Sequence, residues 1–434
     1  MQAGLSAGVA IRDISPATPQ LLHGYSARDS RSLGIREPLS LRCLAVGDGQ
    51  RTVLVICLDM IGVQHHVCQR WYELLESETG IGFPHILISC THTHFAPAVQ
   101  ATIYANPATG LVEPDPAHVA LVETQLVGAA REALARLQPA VLERVCVPVP
   151  GLLFNRRPRR PDGMVTTSYL YPGDDTQLEF LPTDDELAVL RFRGEHGIIG
   201  ALTNFGCHPV TGTDAIPEGE RYISADYPHY LRAELGGAWK CPVLFALGAA
   251  GDTVPINRQG ECRMRIGRAL ADTAILAERR YRPDPVMHVG GECRLLSAAA
   301  MVPVDAATAA DRFEQSRGGA SYGECAQGLY RSRLYPSNRF DIPVQEVRLG
   351  SVSLVALPFE VFSEISLRMK AAFPNSLLLS CAGGYQGYLP LAHECVREGY
   401  GATPESMHFA SDTGDRVLAE IEALLGQSSG AAAP

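Results

Sequence analysis

The sequence predicts an α/β fold whose short strands are mostly buried and covered by helices. Three observations predict it. Thr52–Leu58 (TVLVICL) is an unbroken branched apolar run, as expected of a strand covered on both faces. Longer stretches of helical periodicity separate such runs, as in 117–137 with Val119, Leu121, Val122, Leu126 and Ala129. Several runs also end abruptly in polar residues, the pattern of strands delivering side chains to an active-site rim.

Taken in order, a helix is expected over 67–76, followed by the strand Ile86-Leu87-Ile88-Ser89, which runs into Cys90-Thr91-His92-Thr93-His94. After the helix over 117–137 come a strand at 141–149 and a loop rich in Arg and Pro, 155–161. The segments 187–192 and 200–205 read as a strand pair, the second ending at Gly206-Cys207-His208-Pro209. The strand 243–247 closes on Gly248-Ala249-Ala250-Gly251-Asp252, and a helix is expected over 261–279. Later strands lie at 344–349, 352–357 and 377–380. No internal repeat is visible. Residues 1–426 read as one catalytic domain with a lobe division near 282–286, and 427–434, small and polar, as a disordered tail.

Composition narrows the function. A chain of 434 residues buries about three quarters of its unfolded surface and needs no disulfides for stability. The net charge of −10 argues against nucleic acid or an anionic membrane as partner, because phosphates demand a positive surface. The N-terminus lacks the basic start and apolar core of a secretory signal, and no stretch approaches the ~20 apolar residues of a membrane span. The twelve cysteines are scattered without a C-x-x-C pair, so reduced thiols in a cytoplasmic protein are expected.

Chemistry concentrates at the strand ends. His92 and His94 are two apart, so on an extended segment both rings point to one side. His208 also follows an apolar strand directly, and three neutral imidazoles are a donor set suited to zinc. Glu360, just past the strand at 352–357, is the best-placed carboxylate, although a glutamate favoured by a helix N-terminus is the plainer reading of it. Asp59, Asp226 and Asp252 read equally as structural acids.

The segments Gly8-Val9-Ala10-Ile11-Arg12-Asp13-Ile14-Ser15-Pro16, Thr91-His92-Thr93-His94, Asn155-Arg156, Asn204-Phe205-Gly206-Cys207-His208-Pro209, Ser224-Ala225-Asp226-Tyr227-Pro228, Gly251-Asp252, Phe359-Glu360 and Tyr385-Gln386-Gly387-Tyr388 occur together in that order. In them the chain resembles the catalytic domain of the neutral/alkaline non-lysosomal ceramidases over nearly its whole length. The resemblance implies zinc held by His92, His208, Glu360 and a tyrosine of the Tyr385/Tyr388 pair, with Tyr388 preferred. It also implies that His94 binds or polarises the substrate and that Arg156 stabilises developing negative charge. In the expected mechanism a tyrosine hydroxyl, that of Tyr385, is a further donor, and Asp252 and Asp226 are candidate acids for the leaving amine.

Two departures shape the expected function. Val254 occupies the position of a family serine proposed to take part in catalysis, and the adjacent Thr253 should face the other way. Gly383 replaces an asparagine before the tyrosine pair. A water activated by zinc is therefore the expected nucleophile. No segment matches the family's C-terminal immunoglobulin-like domain, which shifts the expected substrate from membrane ceramide to a soluble N-acylated small molecule. A zinc esterase or lactonase, a non-catalytic binding protein on the same fold, and a cysteine hydrolase using Cys90 or Cys207 are the alternatives.

Overall fold

The apolar runs become strands, and the strands assemble into three sheets. The structure, a computed structural model, describes residues 4–25, 28, 30–102, 112–174, 177–211, 221–301, 305–316, 322–397, 399–403 and 406–430. The first sheet has the order Ile86–Cys90, Thr52–Leu58, Ser40–Gly47, Ser6–Asp13, Gln138–Pro139. The second runs Val243–Leu247, Gly197–Phe205, Glu186–Gly194, Val141–Pro148, Arg282–Pro283. The third runs Val289–Ala299, Arg339–Leu349, Val352–Ala356, Ser376–Leu379. The sheets are mixed: one parallel pair closes each of them, and the other pairings are antiparallel.

One topology recurs three times. In each sheet a strand pairs with the first arm of an antiparallel hairpin, the second arm leads into a helix, and a parallel strand returns beside that arm. The helices are His65–Thr79, Asp226–Trp239 and Ser363–Ala372. A later helix completes each unit: Pro116–Ala135, Cys262–Leu276 and Thr413–Gly430. The sequence shows no such repeat because what recurs is the alternation of buried strand and helix, not particular residues. The second unit ends at Arg282–Pro283, which still pairs with Val141–Pro148, and the third sheet begins at Val289.

This arrangement explains the continuous apolar strands. Val53, Val55, Cys57 and Leu87 face a central core shared with Leu142, Leu190, Leu202 and Leu244 of the second sheet and Val347, Leu354 and Leu377 of the third. Their neighbours Leu54, Ile56, Leu58, Ile86 and Ile88 face the helices, against Trp71, Leu75, Val122 and Leu126. Successive side chains point to opposite faces, so burial of both faces leaves few positions for polar residues, and those present, such as Thr203 and Asn204, are hydrogen-bonded. The third sheet packs its outer face on Ile365, Met369, Val417 and Ile421.

Helix ends follow local chemistry. Asp115 caps Pro116–Ala135 by accepting from the Ala117 amide at 2.9 Å, with Pro116 at the first helical position. Gly80 ends His65–Thr79 in the left-handed region (φ 74°) that glycine enters without strain. Gln427–Gly430, expected within a disordered tail, form the end of the last helix, whose preceding turn is anchored by buried Leu424 and Leu425. Residues 431–434 lie outside the described residues.

Strands missing from the sequence reading include Ser40–Gly47 and Val289–Ala299. The latter mixes Gly, Glu, Cys and Arg with half-exposed positions and so lacks an apolar signature. Between it and Arg339–Leu349 the chain inserts the helices Ala306–Gln315 and Tyr322–Leu334. These share a small core of Ala309, Phe313, Ala326, Leu329 and Tyr330.

Candidate metal centre

The carboxyl ends of the parallel pairs converge, and all three units contribute there. His92 and His94 follow Ile86–Cys90, His208 follows Gly197–Phe205, and Glu360 follows Val352–Ala356. Glu360–Val361 pairs in parallel with Tyr388–Leu389, which brings the tyrosine segment alongside the glutamate.

Backbone carbonyls fix the two histidine rings. His92 Nδ1 donates to Ile61 O at 2.5 Å, and His208 Nδ1 donates to Ala250 O at 3.0 Å. With a proton held at Nδ1, each ring turns its Nε2 inward. His92 reaches this position through a left-handed backbone (φ 65°), an uncommon conformation for a residue other than glycine. Its amide is tied to Met60 O at 2.8 Å.

His94 turns Nε2 to the same point, 3.0 Å from His208 Nε2 and 3.4 Å from His92 Nε2. Its Nδ1 is buried against Gly24, where a Cβ would lie 2.7 Å from that nitrogen, so only glycine (φ 118°) fits beneath the ring. Glu360 adds a buried carboxylate oxygen. Oε2 lies 3.3 Å from His92 Nε2 and 3.6 Å from His208 Nε2, and it accepts no hydrogen bond. Burial, and then the neighbouring His92, hold the His94 and His208 rings well below the ordinary histidine pKa and so keep them neutral. Burial works against the Glu360 charge, yet His92, Arg156 and Tyr385 together hold its carboxyl below the usual range.

The two tyrosines differ in surroundings. Tyr385 donates to Glu360 Oε1 at 2.5 Å, and its ring centroid stands 6.0 Å from that of His92. Tyr388 accepts from Arg156 Nη2 at 3.3 Å and lies 3.4 Å from the Tyr400 hydroxyl. Arg156 is buried. It donates to Gly251 O at 2.6 Å, sits 4.4 Å over the Tyr400 ring and 4.0 Å from Glu360 Oε2, and leaves Nε without a partner.

The three aspartates are brackets. Asp252 accepts from Asn155 Nδ2 (2.7 Å) through Oδ2, and from the amide and hydroxyl of Ser363 (2.9 and 2.8 Å) through Oδ1. Both its oxygens are thus committed one residue from Arg156, whose amide donates to Asp252 O at 2.8 Å. Asp59 makes a two-pronged pair with Arg232, and Asp226 accepts from Thr211.

Thr253 donates its hydroxyl to Gly206 O at 2.6 Å, while Val254 packs with Phe154 and Val210. Neither offers a nucleophile. Cys90 and Cys207 are buried thiols whose pKa burial pushes far up, which removes the cysteine-hydrolase alternative. A second acid–histidine group, Glu364, His393 and Glu394, is an ion-pair network, with Arg157 and Arg397 on Glu394 and Arg368 on Glu364. Sequence reading missed Gly24, Tyr25, Arg28 and Tyr400, which line the histidines and Arg156. They lie in irregular segments with no strand end to mark them.

Residues 5–230 match the family profile described as neutral/alkaline non-lysosomal ceramidase, N-terminal. The chain belongs to that family. His92, His94, Arg156 and His208 fall inside the matched segment, whereas Glu360, Tyr385 and Tyr388 lie beyond it. The ceramidase-family fold extends further. The crystal structure of neutral ceramidase from Pseudomonas aeruginosa superposes with a TM-score of 0.75 at 16% identity, covering 97% of this chain and 74% of that one. A ceramidase complexed with C2 gives 0.73 at 16% identity, covering 96% and 74%. These likenesses carry the fold as far as the third sheet. Among the described residues no helix of this family member is long and apolar enough to cross a membrane.

Proposed function

We propose that the chain is a zinc-dependent hydrolase cleaving an amide bond of an N-acylated small molecule in the cytoplasm. One observation carries the metal assignment. Glu360 Oε2, which accepts no hydrogen bond, lies 3.3 Å from His92 Nε2 and 3.6 Å from His208 Nε2, with His94 Nε2 beside them. Buried imidazole nitrogens converging on a carboxylate oxygen are a place for a cation, and two imidazoles with a carboxylate are a zinc donor set. His92, His208 and Glu360 would hold the ion with one tyrosine. Both tyrosines act on Glu360, Tyr385 by donating to Oε1 near His92 and Tyr388 from beside Arg156, and either could complete the set. Zinc there supplies Lewis acidity, polarising a carbonyl and bringing a water's pKa down toward neutrality.

The protein groups divide the remaining work. Arg156 is fixed by Gly251 and stacked on Tyr400, and its partnerless Nε–H is suited to an oxygen gaining negative charge. His94, whose ring is set over Gly24, would stand beside the ion with Nε2 turned to the same point, placed to bind or polarise the substrate. Asp252 positions Arg156 and touches no substrate.

A second reading has its own support. A leaving amine needs a proton, and both Asp252 and Asp226 are committed elsewhere. An ester or lactone, whose leaving oxygen needs less help, fits the same groups. Hydrolysis of matched amide and ester pairs by the zinc-loaded chain separates the readings. Turnover of neither, with zinc bound, would favour a binding protein.

A further inference from the structure

Arg258 is a buried cation beside the histidine cluster whose partners are all neutral. It follows the strand Thr253–Pro255 and is 8% exposed. Nε donates to Val210 O at 2.9 Å, Nη1 to Tyr169 O at 3.0 Å, and Nη2 reaches the Tyr25 hydroxyl at 3.4 Å. Of the other buried arginines, Arg156, Arg157, Arg191, Arg232 and Arg263 each face a carboxylate, and Arg28 donates to the carbonyls of His23 and His94. Among the described residues Arg258 faces none. A buried charge without a counter-charge is costly, and such a charge is kept where a ligand supplies the balance.

Its place is the wall of the site. Val210 is two residues past His208, and the Tyr25 ring lies 4.9 Å from that of His94. On the other side the Tyr169 ring meets Tyr400 at 5.7 Å, and Tyr400 meets Tyr388 at 5.4 Å. Phe154, Val210 and Val254 form a buried apolar cluster, with the partly buried rings of Tyr25 and Tyr171 packed against it. Three of its five N–H groups are used, which leaves two for a planar acceptor.

We propose that Arg258 binds a carboxylate of the substrate, so that the compound cleaved at the histidine cluster is a small acyl derivative bearing an acid group. The partly buried rings of Tyr25 and Tyr171 take the carbon segment between that acid and the scissile carbonyl. This deepens the hydrolase reading and rests on it for the chemistry, but not for the binding. A site built around a charged hydrogen bond discriminates strongly against a neutral analogue.

The test has a binding arm and a kinetic arm on the zinc-loaded full chain. Calorimetry compares levulinate, a keto acid that cannot be hydrolysed, with the neutral ketone pentan-2-one. Kinetics compare the mono-nitrophenyl ester of glutaric acid with nitrophenyl valerate. The expected results are roughly tenfold or greater preference for the acid in both arms, and collapse of both ratios toward one in Arg258→Gln with zinc content retained. Levulinate preference without hydrolysis of either ester would keep the carboxylate site and sink the hydrolase reading. Equal treatment of acid and neutral probes by the unaltered protein would overturn the carboxylate site, whether or not Arg258→Gln folds. A preference for the acid that survives in a folded Arg258→Gln would overturn it too.

Discussion

Glu360 Oε2 lies 3.3 Å from His92 Nε2, and the two atoms come from different units of a thrice-repeated topology. The third unit delivers the carboxylate from the end of a hairpin arm, and the first delivers the imidazole from the end of its returning strand. The site is therefore a product of the whole assembly, and its integrity depends on how the units are braced.

Asp252 is the clearest brace. Asp252→Asn keeps the shape but loses a charged acceptor for Ser363 and Asn155, so a stability loss of about 1–3 kcal/mol is expected. If Asp252 only positions Arg156, the pH profile of kcat/KM keeps its shape in the variant. Loss of a titrating limb would make Asp252 an acid in the reaction.

Gly62 bears on Tyr385. A Cβ there would lie 2.8 Å from the Tyr385 ring, so Gly62→Ala pushes the ring away from Glu360. We expect a destabilisation of about 1–3 kcal/mol, as in other overpacked sites, together with weaker zinc retention. Unchanged zinc affinity in a folded Gly62→Ala would count against Tyr385 as the tyrosine ligand.

Arg156 is assigned to charge stabilisation, so its removal should act on the chemical step. Arg156→Ala is expected to lower kcat by about 10²–10³ with zinc content retained, and Arg156→Lys should recover only part of the loss. A rise in KM alone would assign Arg156 to ground-state binding.

Buried neutral histidines set an acid limit away from the cluster. Burial lowers His118 to about 4 and His408 to about 3, against an ordinary value of 6.5. The unfolded chain takes up protons below pH 6.5 that the folded chain refuses, so stability is full above 6.5 and declines as pH falls toward 4 and 3. Each group contributes a slope of up to about 1.4 kcal/mol per pH unit within its window. Urea unfolding from pH 7 to 4 measures this, and His408→Phe should flatten the slope; an unchanged slope would remove His408 from the explanation.

Much of the fold was legible because two-sided burial writes itself as unbroken apolar runs, as in Thr52–Leu58 and Val243–Leu247. His92, His94 and His208 were legible for the same reason, since each stands just past such a run. Glu360 was ambiguous because the sequence cannot say what lies opposite it. Arg258 was invisible: only the fold shows that its neighbours are carbonyls and a hydroxyl rather than acids. The repeat escaped because the three units share topology and not residues, while Val289–Ala299 hides a strand in a polar-looking sequence. For Asp252 the sequence leaves an acid and a structural role equally open, and only the fold shows its two oxygens held by Asn155 and Ser363.

The most direct test of the account is the metal content of the purified chain beside His92→Ala and His208→Ala. The account predicts near one zinc per chain in the unaltered protein and its loss from both variants while they remain folded. Zinc retained by either folded variant, or no zinc taken up by the unaltered chain when it is supplied, would contradict it.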